Sequence, residues 1–400
     1  TYRMIRCAPK YINTPLTSTL HYIKMMEFLQ KLIQIQSISP RDEGCFDLIE
    51  ERLNKLNFKC ERIDYLNVEN LYATYGDKGK IFCFLGHTDV VPTGPENQWT
   101  YPPFSGHIEG DVIYGRGTAD MKASIAAFIE SLEEFMDSEP DLNYRIAVLL
   151  TSNEEGDAED GFIDKIVDDM IEKDEKIDLC LVGEPTSYKN IGDSIRIGRR
   201  GSLGGSLKII GKQGHIAYPE NVVNPIFSAS DVIVRLKNTV WDNGNAIFQP
   251  TSFQISNIRS GTGAKNIVPG ELDMFFNFRY STESTHEKLM SEFESILKEL
   301  NVEYEIDWKL SGLPYLTKED NLKDVVVESI ENITGYSPDL NAKGGTSDGR
   351  FIAKMGTEIV ELGPLNETIH QIDEHVKISE IELLQKIYTN ILNNLNQKLA

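Results

Sequence analysis

Positive charge is in short supply in this chain: 40 Lys and Arg stand against 62 Asp and Glu, a formal net charge of −22. Nucleic-acid binding depends on a basic footprint that neutralises phosphates, so this balance argues against a polyanionic partner. Long apolar runs are also missing. No stretch approaches 18 consecutive apolar residues, which speaks against a helical membrane span. Cysteine is sparse, and Cys7, Cys45, Cys60, Cys83 and Cys180 are scattered, odd in number and without a C-x-x-C pair. That usage implies reduced thiols in a cytoplasmic setting, with Cys83 and Cys180 inside apolar runs as core residues. No G-x-S-x-G nucleophile elbow is present, which removes a serine-hydrolase reading of Ser202 or Ser347. Gly115-Arg116-Gly117 is only part of a dinucleotide fingerprint and follows no clear strand, so it carries no nucleotide reading.

What is present implies two or three domains, at about 150 residues each. Residues 1–24 hold Arg3, Arg6, Lys10 and Lys24 and no acid, but lack the apolar core of a secretory signal. They are expected to be a poorly ordered extension ahead of a start at Met25 or Met26, because the amphipathic pattern Phe28, Leu29, Leu32, Ile33 begins only there. An organelle-targeting segment is the alternative. From Ile81 the run IFCFLG reads as a buried strand, and similar runs follow at 145–150, 177–182 and 358–362. They alternate with helical patterns over 122–135 and 378–395, which predicts an α/β fold with a mostly parallel sheet. Between about 201 and 312 the order becomes β-α-β-β-α-β, a ferredoxin-like α+β insertion. The sheet domain is therefore expected over 25–200 and 313–400.

Several expected strands end in a residue type that binds metals. IFCFLG runs into His87-Thr88-Asp89, RIAVLL into Glu154-Glu155 and DLCLVG into Glu184, while EIVELGP leads through a loop to His370. Asp120 adds another, in the turn GRGTAD before a helix. Open α/β sheets bind ligands beyond the carboxyl ends of their strands, so these residues suggest one site. Two imidazoles and three carboxylates without cysteine suit a pair of divalent first-row metals sharing a bridging carboxylate. Such a pair points to hydrolysis. Asp89, two residues after His87, can accept the other ring N–H and fix the tautomer. Of Glu154 and Glu155, one is needed as a ligand and the other as an unligated base. Taken singly, each acid could equally cap a helix or sit solvated in a loop.

At these residues the sequence resembles the M20 family of metallopeptidases and deacylases, from about Met26 to Leu395. The segments GHTDVVPTG, PPFSGHIEGDVIYGRGTADMKAS, LLTSNEEG and LVGEPTS mark the family. GRRGSLGGSLKIIGKQGHIAYP, NIVPGELDMFFNFRYS, GGTSDGRF and GPLNETIHQIDE resemble its desuccinylase branch rather than acetylornithine deacetylases, aminoacylases or carboxypeptidases. The resemblance implies two Zn2+, with Co2+ as a possible substitute: His87 and Glu184 on one, Glu155 and His370 on the other, Asp120 bridging. It makes Glu154 the general base and acid and Asp89 the orienting carboxylate. It also implies a homodimer formed through the inserted lid, with His215 reaching the partner's site to stabilise the oxyanion. Arg199, Ser202, Tyr218, Asn266, Arg279, Gly345, Thr346 and Asn366 fall on motif positions that resemble substrate contacts. The implied reaction is hydrolysis of N-succinyl-L,L-diaminopimelate, a small-molecule acidic N-acyl amino acid. Its three carboxylates suit planar donors such as Arg199 and Arg279, although for each arginine alone a surface or structural ion pair is an equal alternative. Competing readings are another M20 deacylase or dipeptidase specificity, and a non-catalytic metal-binding descendant, against which the retention of Glu154 argues.

Overall fold

The computed structural model describes residues 16–156 and 162–399. At its centre the strand Ile81–His87 is buried along its whole length, as a strand covered on both faces must be. Arg145–Thr151 and Leu179–Val182 flank it in parallel, and Glu358–Glu361 continues the parallel run. These four follow the apolar runs of the sequence. The sheet goes on to eight strands. Asn70–Tyr75 and Lys59–Arg62 add antiparallel pairs on one side; Ser194–Arg196 and Asp339–Asn341 lie on the other. These outer strands are short, and Lys59–Arg62 and Asp339–Asn341 alternate with solvent or are half exposed, so they lacked the continuous apolar signal.

Alternate residues of the central strands serve two cores. Phe82, Phe84, Val148 and Leu181 pack with the helices Ala123–Met136 and Ile378–Leu399, while Cys83, Leu85, Leu149 and Cys180 pack with Phe162–Glu172. Phe84 stacks on Phe128 at 4.0 Å between ring centroids. Residues 16–24 of the expected N-terminal extension belong to the helix Leu16–Gln34. Ile23 and Lys24 are exposed and Met25 and Met26 buried, and extending a helix from such an anchor costs far less than nucleating one. The rest of the extension, residues 1–15, lies outside the described residues. Cys45, Cys60, Cys83 and Cys180 are free thiols. No helix among the described residues is long and apolar enough to cross a membrane.

Between Gly201 and Gly312 the elements are Gly201–Ile210, Pro225–Lys237, Ser252–Ser260, Glu271–Tyr280, His286–Glu299 and Tyr304–Gly312. They give the β-α-β-β-α-β order, and the antiparallel sheet places its strands second, third, first, fourth. Leu207, Val232, Phe276, Phe278 and Phe293 form a core of their own. The chain crosses into this unit at Gly198–Arg199 and returns at Tyr315–Leu316, and the two crossings pair antiparallel.

Candidate active site

The carboxyl ends of the central strands and the loops behind them converge on one acidic cluster. His87 ends its strand 1% exposed, its Nε2 lying 3.2 Å from Asp120 Oδ1 and 3.5 Å from Glu184 Oε1. The other oxygen of Asp120 is 3.4 Å from His370 Nε2, which also lies 2.7 Å from Glu155 Oε1. Asp120 thus stands between two imidazoles, each with a further carboxylate of its own. Ligand atoms of His87, Asp120 and Glu155 fall within 4.8 Å of one another, as do those of His87, Glu154 and Glu184.

The surrounding backbone explains how these groups come so close. A Cβ at Gly86 or at Gly183 would stand 2.5 Å from Met121 Cε, so these glycines leave room for the Met121 side chain beside Asp120 at the strand ends. The Asp89 carboxylate accepts from the backbone N–H groups of Glu154 at 3.1 Å and Glu155 at 3.0 Å. Its relation to His87 differs from the sequence expectation. His87 Nδ1 lies 2.9 Å from the carbonyl oxygen of Asp89 and 3.6 Å from its carboxylate, so the main chain is the nearer partner of the ring. Glu374, wholly buried, accepts from Arg116 Nη1 at 2.6 Å and from the N–H groups of Gly117, Ala119 and Asp120 at 2.9–3.2 Å. One carboxylate therefore ties the His370 loop to the Asp120 turn. His370 itself takes φ +59°, a left-handed conformation that costs a non-glycine residue about 1–3 kcal/mol and tends to persist at functional sites.

Charge is crowded here. Burial, reinforced by Glu184 and Asp348, drives the Glu154 pKa well above the usual carboxylate range. Burial and Asp120 push Glu184 up to about 7. Burial opposes charge on His87, yet Asp120 and Glu184 hold its pKa well above normal. Hydrogen bonds to the carboxylates of Asp120 and Glu155 raise the His370 pKa to about 10. Burial likewise opposes charge on Asp120, but His370 and His87 outweigh it and hold its carboxyl below the usual range. Without a cation, such a set is held together by protons shared among its members. Imidazoles and carboxylates without sulfur form the donor set that first-row divalent metals take, so the residues fit metal binding by their own chemistry.

A cleft of about 840 Å³ opens above the cluster between the two units. Arg199, Ser202, Arg279, Gly345, Thr346 and Asn366 all line it, together with Asp120, Glu154, Glu155, Glu184 and His370. His215, Tyr218 and Asn266 do not. They gather instead on the inserted unit, where Ile216 N–H donates to Asn266 O at 3.1 Å and Tyr218 N–H to His215 O at 3.0 Å. Arg199 lines the cleft with its Nε and Nη2 donating to buried Glu361, so an ion pair holds this guanidinium on the cleft wall. Arg279 has no hydrogen-bond or ion-pair partner among the described residues, and burial with Arg200 and Arg350 nearby lowers its pKa. Arg350, which the sequence reading missed, also lines the cleft, with Nε and Nη1 unpartnered and only a 3.8 Å approach to Asp348. Its signal was its place in GGTSDGRF, five residues beyond Gly345. Glu374 gave less warning, being one acid in a loop without periodicity.

The description "Peptidase family M20/M25/M40" matches residues 83–394, and the chain belongs to that family. Among individual proteins it is similar to succinyl-diaminopimelate desuccinylase of Hydrogenovibrio crunogenus, 51% identical over 372 residues, covering 92% of this chain and 98% of the relative. A protein of the same name from Methylococcus capsulatus is 49% identical over 370 residues, again covering 92% and 98%. In fold the chain is similar to an M20 family metallo-carboxypeptidase from Sulfolobus solfataricus, with TM-score 0.77 at 19% identity over 94% of this chain and 99% of that one. A dinuclear metal-binding M20 peptidase from Bacillus subtilis aligns with TM-score 0.71 at 13% identity over 95% and 99%.

The Glu374 contacts generate a prediction. Glu374→Ala strands the Arg116 guanidinium and three backbone donors and should destabilise the fold by about 3–5 kcal/mol. Glu374→Gln, which preserves the shape, should fold but bind metal about 10- to 100-fold more weakly, as loss of an orienting partner does. Denaturant unfolding and metal titration on the two variants check this; unchanged metal affinity in Glu374→Gln would remove Glu374 from the site's support.

Proposed function

We propose that this chain hydrolyses N-succinyl-L,L-2,6-diaminopimelate to succinate and L,L-diaminopimelate, a step of diaminopimelate and lysine biosynthesis. The observation that carries the reading is the pairing of an acidic two-imidazole cluster with a cleft wall bearing two guanidinium groups: Arg279, which has no ion pair among the described residues, and Arg350, whose Nε and Nη1 are unpartnered and whose ion pair with Asp348 is a long 3.8 Å. Near-full-length relatives about half identical to the chain bear the name of that activity, which supports the choice of acyl group. In the proposed arrangement His87 and Glu184 hold one zinc, Glu155 and His370 the other, and Asp120 bridges them; Co2+ is a plausible substitute by the same donor chemistry. When bound, such a pair polarises the amide carbonyl and lowers the pKa of water for attack.

The chain's own groups do the rest. The Glu154 carboxylate makes no hydrogen bond among the described residues, and burial raises its proton affinity, as a general base requires. It takes the proton of the attacking water and returns it to the leaving amine nitrogen. Glu155 is kept as the ligand because it, and not Glu154, contacts His370. Asp89 orients the pair by holding both backbone N–H groups. Arg279 and Arg350 receive substrate carboxylates, and Ser202, Gly345, Thr346 and Asn366 offer the remaining contacts of the cleft. In a chain of formal charge −22 this local cation pair is what draws an anionic substrate inward.

We also infer a homodimer in which His215, with Tyr218 and Asn266, serves the partner's cleft and donates to the oxyanion. Their distance from their own cleft supports that reading, and Ile216, Val223 and Phe227 stand exposed beside them. The free thiols suit a cytoplasmic setting.

Turnover of succinyl, acetyl and dipeptide substrates by the metal-loaded protein tests the activity directly: the succinyl compound should be preferred, and preference for another would give the chain a different specificity within the family. Arg279→Ala and Arg350→Ala should each lower kcat/KM for the succinyl substrate about 10- to 100-fold, the worth of one charged hydrogen bond. Kinetics within twofold of wild type for both would take the guanidinium groups out of recognition. Glu154→Gln should retain its metal and lose about 10²- to 10⁴-fold in kcat. Mixed with inactive His215→Ala, it should regain activity through heterodimers that pair an intact cluster with an intact histidine. Heterodimers without recovery would exclude donation between subunits.

A further inference from the structure

Glu361 closes the strand Glu358–Glu361 and is wholly buried, yet it is no member of the metal cluster. Its carboxylate collects donors from three segments far apart in sequence. Arg199 gives Nε and Nη2, Tyr315 its hydroxyl at 2.7 Å, and Ser347 its hydroxyl at 2.6 Å. Arg199 and Tyr315 lie opposite each other in register, one on the outgoing and one on the returning crossing between the sheet and the inserted unit. Ser347 belongs to the cleft loop that carries Thr346 and leads into the short helix Gly349–Ile352 with Arg350. Arg199 binds that loop a second time, its Nη1 donating to the carbonyls of Lys343 at 3.4 Å and Gly345 at 3.3 Å. Little slack is left around the junction, for a Cβ at Gly198 would stand 2.4 Å from Tyr315 O and one at Gly349 2.8 Å from the Tyr315 hydroxyl.

We propose that Glu361 is a positioning residue: by holding both crossings and the cleft loop on one carboxylate, it fixes the angle at which the inserted unit presents Ser202 and Arg279 to Arg350 and the cluster below. This rests on the proposed desuccinylase reading for its kinetic consequence, though not for its mechanical one. Two short crossings form a natural hinge, and without a common anchor they admit several orientations. Substrate affinity then falls with the fraction of molecules in the competent orientation, while chemistry at the cluster in the bound state is untouched. The signature of a positioning role is therefore a rise in KM with kcat preserved. A residue that merely stabilises the fold would shift neither at a temperature where the protein stays folded.

The experiment uses Glu361→Gln, which keeps the volume and removes the charge, and Tyr315→Phe, which leaves the buried ion pair in place and frees only the returning crossing. Metal content and thermal unfolding establish that each variant is folded and loaded. Amide hydrogen exchange over 197–201, 313–317 and 343–348 should quicken about tenfold or more in Glu361→Gln and about threefold in Tyr315→Phe, with Ile81–His87 and the inserted sheet unchanged. KM for N-succinyl-L,L-diaminopimelate should rise by similar factors, with kcat within about threefold of wild type. If Glu361→Gln does not fold, Tyr315→Phe carries the same comparison. Unaltered exchange in all three segments of a folded variant would overturn the proposal, as would a loss confined to kcat. If wild-type protein leaves the succinyl substrate uncut, the functional reading fails, and the exchange comparison still decides whether Glu361 anchors the crossings.

Discussion

The structure depends on one electrostatic constraint: carboxylates and imidazoles are packed at the end of a parallel sheet more tightly than their charges allow without compensation. Asp120 lies within 3.4 Å of both His87 and His370, and Glu184 and Glu155 complete the two pairs. His370 stands half exposed, but His87, Asp120 and Glu184 are buried where water screens poorly, so the cluster needs cations or protons to persist. The sheet supplies the means of assembly. Parallel strands bring all their carboxyl ends to one edge, which places residues distant in sequence around a common point.

Around that cluster, buried carboxylates act as fasteners. Asp89 holds the Glu154-Glu155 backbone, Glu374 binds the Asp120 turn to the His370 loop, and Glu361 binds the two chain crossings to the cleft loop. Each meets donors from segments that local structure alone would leave independent. A charged acceptor serves this purpose well, because charge-assisted hydrogen bonds are strong and directional and a buried carboxylate left short of donors is costly. The acidity of the chain is thus partly structural at its centre. Arg279, without an ion pair among the described residues, and Arg350, with only a long one to Asp348, face the cleft.

Much of this was legible in the sequence, for identifiable reasons. IFCFLG has the continuous apolar character of a strand covered on both faces, and it ran straight into His87. The β-α-β-β-α-β order of the inserted unit followed from alternating patterns that each bury a single face, as Glu271–Tyr280 does. Less visible were features that depend on what lies across the fold. For Arg199 the sequence left substrate contact and a structural ion pair equally open, because it cannot show Glu361 seated on the guanidinium. Glu374 is a single acid in a loop and Arg350 sits in the one-turn helix Gly349–Ile352, and neither setting has a periodicity that separates a buried fastener or a waiting guanidinium from a solvated side chain. Asp89 was placed correctly beside His87, but the nearer contact of the ring is a backbone carbonyl, a distinction set by a few tenths of an ångström in loop geometry.

The central claim is that the acidic cluster exists to hold divalent cations that make hydrolysis possible. Calorimetric titration of chelator-stripped protein with Zn2+, with hydrolysis of N-succinyl-L,L-diaminopimelate followed on the same samples, tests it most directly. Two equivalents per chain should bind with release of protons, and activity should appear only as the sites fill. Stripped protein that hydrolyses the substrate at the full rate, or a chain that takes up no zinc, would contradict the account.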